Sequence, residues 1–260
     1  MELSELTTVV AELSEHVLTI TLNRPHKLNA FNQPMMDEFK ALWSYAADDD
    51  DVHVVVLRAA GDRAFSTGVD VIEKYDEPEN PFARRDPSQW LSPKLAGCWK
   101  PVVCAVHGMV AGGAFYWLNE ADIVIASDDV EFFDPHVSFG LVASLEPIGL
   151  LRRIPLGEVL RIALLGLDER MSGARALQIG LVSELLPRDQ LWARAQYLAE
   201  RIARKPPSAT QGTVRAVWES LDATRSQALS TGMSYVVIGN PIGSAQVSRA
   251  DVARNDYEVR

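Results

Sequence analysis

Apolar residues fall along this chain in two alternating periods. Val9 to Leu13 and His16 to Leu22 are short runs rich in β-branched side chains on either side of Ser14-Glu15, the pattern of a hairpin. Asn32 followed by Pro34 then reads as a helix start. Met35, Met36, Phe39, Leu42, Trp43 and Ala46 recur at helical spacing until the acidic run Asp48 to Asp51 closes the segment. The next apolar run, Val52 to Ala59, has the length of a strand. The rhythm recurs downstream, with Val102 to Val106 as a strand, Gly112 to Glu120 as a helix and Asp122 to Ala126 as a strand. Strands alternating with helices predict an α/β fold.

Two stretches break the rhythm. Glu73 to Ser88 holds Pro78, Pro81, Pro87 and many charges, which predicts a long surface loop. Beyond about Arg188 the strand signals fade. Leu191, Ala195, Leu198, Ala199 and Ile202 mark one amphipathic helix, Pro206-Pro207 ends it, and Thr213 to Leu229 is expected to form another. The expected organisation is a core over residues 1–190 that carries the active site, followed by a helical region over 191–260 suited to contacts between subunits. No fixed-period repeat is present.

Composition narrows the class. The chain has 260 residues, 47% of them apolar and 23% charged, ordinary for a globular protein able to bury a substantial core. Twenty-five basic against thirty-five acidic residues give a net charge of -10 with no basic stripe, which argues against a nucleic-acid partner. Cys98 and Cys104 are too few for a disulfide framework and lack zinc-ligand spacing. His16, His26 and His53 likewise suggest no metal. The longest weakly polar run, Val102 to Leu118, is interrupted by His107 and three glycines, so no membrane association is expected. Acid rather than base at Met1-Glu2-Leu3-Ser4-Glu5 is unlike a targeting peptide, and a cytoplasmic protein is the expectation.

Candidate chemistry lies in three segments that follow predicted strands. Leu22-Asn23-Arg24-Pro25-His26-Lys27-Leu28-Asn29-Ala30-Phe31 leaves a strand and enters a helix, and its Arg24 and Lys27 form a basic pair suited to phosphate. Ala64-Phe65-Ser66-Thr67-Gly68-Val69-Asp70 offers a glycine free to take unusual backbone angles. His107-Gly108-Met109-Val110-Ala111-Gly112-Gly113-Ala114 joins a strand to a helix, where N–H groups near Gly113 can face a developing negative charge. No dinucleotide fingerprint and no phosphate-binding Gly-Lys-Ser/Thr loop is present.

In this order the segments resemble the crotonase superfamily, also called the enoyl-CoA hydratase/isomerase family. Lys100-Pro101 leading to His107-Gly108, Ala121-Asp122-Ile123 and Arg175 to Glu184 add to the resemblance, which spans roughly Leu13 to Pro187. It implies a crotonase-like spiral of ββα units with a C-terminal helical region, assembled as a homotrimer or dimer of trimers. It also implies an acyl-CoA substrate, with coenzyme A part of that substrate and no other cofactor. By the same resemblance the backbone N–H groups of Val69 and Gly113 form an oxyanion hole for the thioester carbonyl. Arg24, Lys27, Leu28 and Ala30, with Thr67, Gly68, Asp70 and Val71, then surround the coenzyme A moiety.

The resemblance fails at two catalytic positions. Hydratases of the family carry glutamates where this chain has Tyr116 and His136, the latter within Asp134-Pro135-His136-Val137. A tyrosine cannot replace a carboxylate base, whereas a histidine can act near neutral pH. Glu146, in Ser144-Leu145-Glu146-Pro147, falls near an aspartate used by other members, so His136 and Glu146 are expected to act as a pair. The alternatives for His136 and Glu146 are a structural histidine beside Pro135 and a solvated loop acid. For function, the leading expectation is an enoyl-CoA hydratase/isomerase family lyase or isomerase working through the oxyanion hole. The alternatives are a retro-Claisen type C–C bond hydrolase using the His/Glu pair, and a non-catalytic acyl-CoA-binding protein.

Overall fold

A computed structural model describes residues 2–73, 80, 86–252 and 257–260. The opening hairpin pairs β1, Val9–Ser14, antiparallel with β2, Val17–Leu22. Its tip is Glu15-His16, one residue beyond the predicted turn, and both tip residues take positive φ, 48° and 66°. That backbone matches the right-handed twist of the two strands and ordinarily favours glycine or asparagine. His16 is held in it by tertiary contacts, its ring stacked on His53 at 4.1 Å and its Nδ1 3.0 Å from Asp51 O. The first helix, α1, is Gln33–Asp48. Asn32 caps it by accepting from Met35 N–H at 3.2 Å, and the six predicted apolar positions are all buried.

The chain then alternates between two sheets. β3 (Val54–Ala59) is followed by β4 (Ala64–Ser66), β5 (Val102–Val106) by β6 (Met109–Ala111), and β7 (Ile123–Ser127) by β8 (Glu131–Phe133). The first strand of each pair joins one sheet and the second joins the other. The larger sheet has the order β1-β2-β3-β5-β7-β10, with β10 at Glu184–Leu186, and the smaller has β4-β6-β8-β9, with β9 at Met171–Ser172. Pairings are parallel except at the opening hairpin and between β8 and β9. This is the crotonase-like spiral. The four strands of the smaller sheet, β4, β6, β8 and β9, are too brief to show alternation in the sequence and are not among the predicted elements.

The near-continuous apolar runs of β3, β5 and β7 reflect burial on both faces. Leu18, Ile20, Val55, Leu57, Cys104 and Val124 point to the main core, shared with α1 and with α2, Phe115–Glu120. Val17, Val54, Val56, Val103, Ala105 and Ile125 point the other way, onto α6, Leu191–Ala203. That helix meets the sheet through Leu191, Ala195, Ala199 and Ala203, a four-residue period of mostly small side chains that lets its backbone approach closely. Between α2 and α6 lie α3 (Leu145–Leu150), α4 (Leu156–Leu165) and α5 (Gly173–Ile179).

The C-terminal helices differ from expectation. Instead of one helix over Thr213 to Leu229, α7 runs Pro207–Ser220 and α8 runs Arg225–Ala245. Thr224 accepts no interior helical role because it starts a new helix, in a capping box with Gln227. That signature outranks the apolar period running through it. Most of the predicted loop over Glu73 to Ser88 lies outside the described residues. Among the described residues no helix is long and apolar enough to cross a membrane, and no cluster of three His, Cys, Asp or Glu could hold a metal ion.

Asp122 ties α7 to the core. Its Oδ2 accepts from Lys94 Nζ at 2.9 Å and from Val102 N–H at 2.7 Å, and its Oδ1 accepts from Trp218 Nε1 at 2.6 Å. Lys94 is only 4% exposed at the side chain, so removing its partner strands a buried charge. Asp122→Ala is therefore expected to cost about 3–5 kcal/mol of stability in a denaturant titration. A loss within about 0.5 kcal/mol, usual for surface substitutions, would contradict this account.

Candidate active site

The first two of the three segments are locked together by Asn29. Leu28 and Asn29 both take left-handed backbone angles, φ 52° and 53°, unusual for side-chain-bearing residues. The buried Asn29 amide holds the turn: Nδ2 donates to Ala60 O at 2.9 Å and to Ala64 O at 3.0 Å, and Oδ1 accepts from Arg24 N–H at 2.9 Å. Arg24 closes the knot. Its guanidinium donates to Ala30 O at 2.5 Å, to Asp70 Oδ2 at 3.1 Å and to Glu73 Oε1 at 3.2 Å. The expectation that the Arg24 guanidinium meets a phosphate is thereby corrected; Asp70, expected within the Thr67 to Val71 stretch around coenzyme A, is its partner. Both are buried and bind each other, because a carboxylate and a guanidinium leaving water together need one another as partners. Lys27 and Val71 are exposed, Leu28 and Thr67 are half-buried, and Ala30 and Gly68 are buried.

The second and third segments meet backbone to backbone. Gly68 has φ 86°, and a Cβ there would stand 2.9 Å from Gly113 N and 3.1 Å from Ala111 O. A Cβ on Gly113 would strike the Phe31 ring, 2.6 Å from Cε1. Phe31 in turn pairs with Val69 as an isolated parallel bridge. Phe31 N–H donates to Gly68 O and Asp70 N–H donates to Phe31 O, both at 2.8 Å, a pattern that leaves Val69 N–H out of the ladder. Gly113 sits in a 3-10 turn, Gly112–Ala114, that opens into α2, so its N–H belongs to a first turn with no acceptor behind it. Two N–H groups with no acceptor among the described residues thus lie on neighbouring segments.

The histidine arrives from the end of β8. Asp134 and Pro135 lead into a 3-10 turn, His136–Phe139, closed by Gly140 at φ 73°. This places His136 Cε1 3.7 Å from where a Cβ on Gly112 would be, against the turn that presents Gly113. Asp134 Oδ1 accepts from His136 N–H at 3.1 Å and lies 2.5 Å from His136 Nδ1. On the other side of the ring, Nε2 lies 3.8 Å from Glu146 Oε1. Glu146 is buried in the first turn of α3, and that helix is held tightly on α2. Asn119 Nδ2 donates to Glu146 O at 3.0 Å, and a Cβ on Gly149 would lie 2.2 Å from Asn119 Nδ2. The expected His136/Glu146 pair is therefore brought together.

Both members are shifted toward their protonated forms. The Asp134 hydrogen bond raises the His136 imidazolium above its ordinary value, against the opposing effect of burial. Burial raises the Glu146 carboxyl. Tyr116, one turn after Gly113, donates its hydroxyl to the Asp86 carboxylate, and burial with the nearby charge of Glu146 pushes its pKa up. Tyr116, Leu145 and Ile148 line a cavity of roughly 470 Å³ with Trp99 and Trp218. His107 does not join the site. It is buried with Nε2 2.8 Å from Gly61 O, and burial together with Arg188 pushes it down to about 4.

Asp134 and Asp86 carried no role in the sequence reading. An aspartate two residues before a candidate base is a local signal that could have been used. Asp86 has no such signal, since only folding brings it to Tyr116.

Residues 12–236 match the family model described as enoyl-CoA hydratase/isomerase. The chain belongs to the enoyl-CoA hydratase/isomerase family. It is 32% identical over 212 residues to the (E)-benzylidenesuccinyl-CoA hydratase of Thauera aromatica, covering 80% of this chain and 81% of that protein. It is 30% identical over 203 residues to the 1,2-epoxyphenylacetyl-CoA isomerase of Escherichia coli K12, covering 76% and 77% respectively. Among solved structures, an enoyl-CoA hydratase/isomerase from Mycobacterium paratuberculosis superposes with a TM-score of 0.82 at 35% identity, over 97% of this chain and 92% of that one. Within this enoyl-CoA hydratase/isomerase family member, Arg24 and Asn29 shape the loop beside the two free N–H groups, and His136 and Glu146 stand beside the third segment.

The Glu146 shift has a consequence for stability. A buried carboxyl whose folded pKa lies above its unfolded value, ordinarily about 4.5, binds more protons in the folded state, so stability is lost as pH rises through that window. Glu146→Gln removes this loss. Thermal unfolding between pH 4 and 8 is expected to show the variant gaining on the wild type as pH rises, and a pH-independent difference would count against the burial argument.

Proposed function

We propose that this protein is an acyl-CoA enzyme in which the Val69 and Gly113 N–H groups bind the thioester carbonyl oxygen and His136 acts as the general base. The observation that carries the reading is the meeting, around the Gly112–Ala114 turn, of two backbone donors with no acceptor among the described residues and an imidazole held by a buried carboxylate. Charge develops on a thioester oxygen when water adds beside it or a proton leaves its α-carbon. One preorganised donor at such an oxygen is typically worth about 10²- to 10³-fold in rate. Coenzyme A lies along Lys27, Leu28 and Ala30 and along Thr67 to Val71. Lys27 supplies the exposed cation for a phosphate, and Arg24 and Asp70 act by fixing the loop.

For hydration, His136 takes a proton from water as the oxygen adds to the β-carbon, and the electron pair moves onto the carbonyl oxygen between Val69 and Gly113. The Glu146 carboxyl, raised by burial, then protonates the α-carbon and recovers its proton from His136 across the 3.8 Å gap. Isomerisation uses the same groups without water. Tyr116 takes no proton in either route, because its hydroxyl is committed to Asp86 and its pKa is raised. The close approach of His136 to Glu146 also favours a second reading, hydrolysis of a C–C bond in a 1,3-dicarbonyl substrate, with the enolate leaving into the same pair of N–H groups.

Assembly as a homotrimer or a dimer of trimers is part of the proposal. Leu151, Leu156, Leu160 and Leu164 on and beside α4, with Val237 and Ile238 on α8, are all more than 40% exposed. Apolar side chains in such number on one chain are suited to burial against further copies.

His136→Ala is expected to abolish conversion of crotonyl-CoA, followed by loss of enoyl absorbance and by product analysis, while thermal-shift binding of the thioester persists. Full turnover by the variant would remove His136 from the mechanism. Binding without conversion by the wild type, across CoA thioesters of varied chain length and across 1,3-diketones, would favour an acyl-CoA-binding protein instead.

A further inference from the structure

The mechanism above leaves unused a buried ionisable group in contact with its proposed base. Asp134 is fully buried at the end of β8, and both of its hydrogen bonds go to a single residue: Oδ1 takes the backbone N–H of His136 at 3.1 Å and faces its Nδ1 at 2.5 Å. Oδ2 is buried and receives no donor among the described residues. A carboxylate placed out of water with no cation and no other donor is costly unless the group it faces carries the compensating charge. Two bonds onto one residue, two positions along the chain, also fix the ring rotation. With Nδ1 engaged as the donor, the lone pair of the neutral imidazole lies on Nε2, the nitrogen that faces Glu146.

We infer that Asp134 is the positioning residue for His136: it holds the imidazole with Nδ1 protonated and Nε2 free, and it balances the imidazolium formed when Nε2 takes the proton from water or substrate. The inference rests on the reading of His136 as the base. It divides the acidic groups on and near that ring by role. Asp134 holds the nitrogen away from the reaction, Glu146 exchanges protons with the nitrogen toward it, and Asp86 is withdrawn by Tyr116. The arrangement separates acid from base by partner, whereas two glutamates at these positions would have to be separated by environment alone.

The titratable groups that act on His136 are Asp134 on its own turn and Glu146 from α3; Asp86 acts on Glu146, and Tyr116 from α2 feels Glu146 and Asp86. Among these only Asp134 contacts Nδ1. Asp134→Asn keeps an oxygen able to accept both donors and removes the charge. It is expected to lower kcat on crotonyl-CoA by about 10²-fold with KM little changed. It should also move the acid limb of the pH–rate profile about one unit to lower pH, because the imidazolium loses the carboxylate that favours it. A merely structural role would lower the unfolding temperature and the amplitude of the profile without moving its limb. An unmoved limb in a folded variant would overturn the inference.

A second measurement needs no variant. Nitrogen-15 spectra of the wild-type protein, with His136 assigned by comparison with His136→Ala, are expected to show neutral imidazole protonated at Nδ1. Protonation at Nε2 instead would overturn the inference even if His136 remains essential. Full turnover by His136→Ala would strike the proposed base itself and leave the tautomer result standing, so the two failures are distinguishable.

Discussion

The backbone at Gly68 passes the amide of Gly113 so closely that one methyl group between them would stand 2.9 Å from the nitrogen. Everything at the site depends on that approach. It brings together N–H groups from two segments more than forty residues apart, and it can exist only where neither chain carries a side chain. The surrounding residues keep the two backbones in place. Phe31 pairs with Val69 from below and blocks any side chain on Gly113, while Asn29 and Arg24 fasten the loop that carries Gly68 to the loop before α1.

Charge is handled locally throughout. The chain carries a net charge of -10, yet its buried ions are each closed off by partners within a few ångströms. Arg24 meets Asp70, Lys94 meets Asp122, and Asp134 meets His136. The first two pairs fix backbone segments. The third involves the one partner that can lose its proton near neutral pH, which makes it the pair suited to chemistry. Tyr116 and Asp86 show the converse case, a carboxylate engaged by a group that keeps its proton.

Much of the fold was legible along the chain because its longer elements announce themselves locally. The Asn32 cap and six apolar positions marked α1, and short apolar runs rich in β-branched residues marked β2, β3 and β5. The short strands β4, β6 and β8 were not legible, since three residues carry no periodicity and pair only because their neighbours hold them parallel. The break between α7 and α8 was missed for the opposite reason. A local signal, Thr224 with Gln227, was present but overlooked beneath an apolar period that continued through it.

The sequence by itself determined the alternation of strands and helices, the order of the three loop segments that follow strands, and the presence of His136 and Glu146 ten residues apart. These are properties of composition and spacing, and they survive without knowledge of any distance. Tertiary structure alone decided what each charged group faces. Arg24 resembled a phosphate ligand until folding placed it against Asp70, and Asp134 was an unremarked neighbour until the turn after β8 aimed it at Nδ1. A side chain's role depends on which partner it meets when water is excluded, and that partner is chosen by the packing of distant segments.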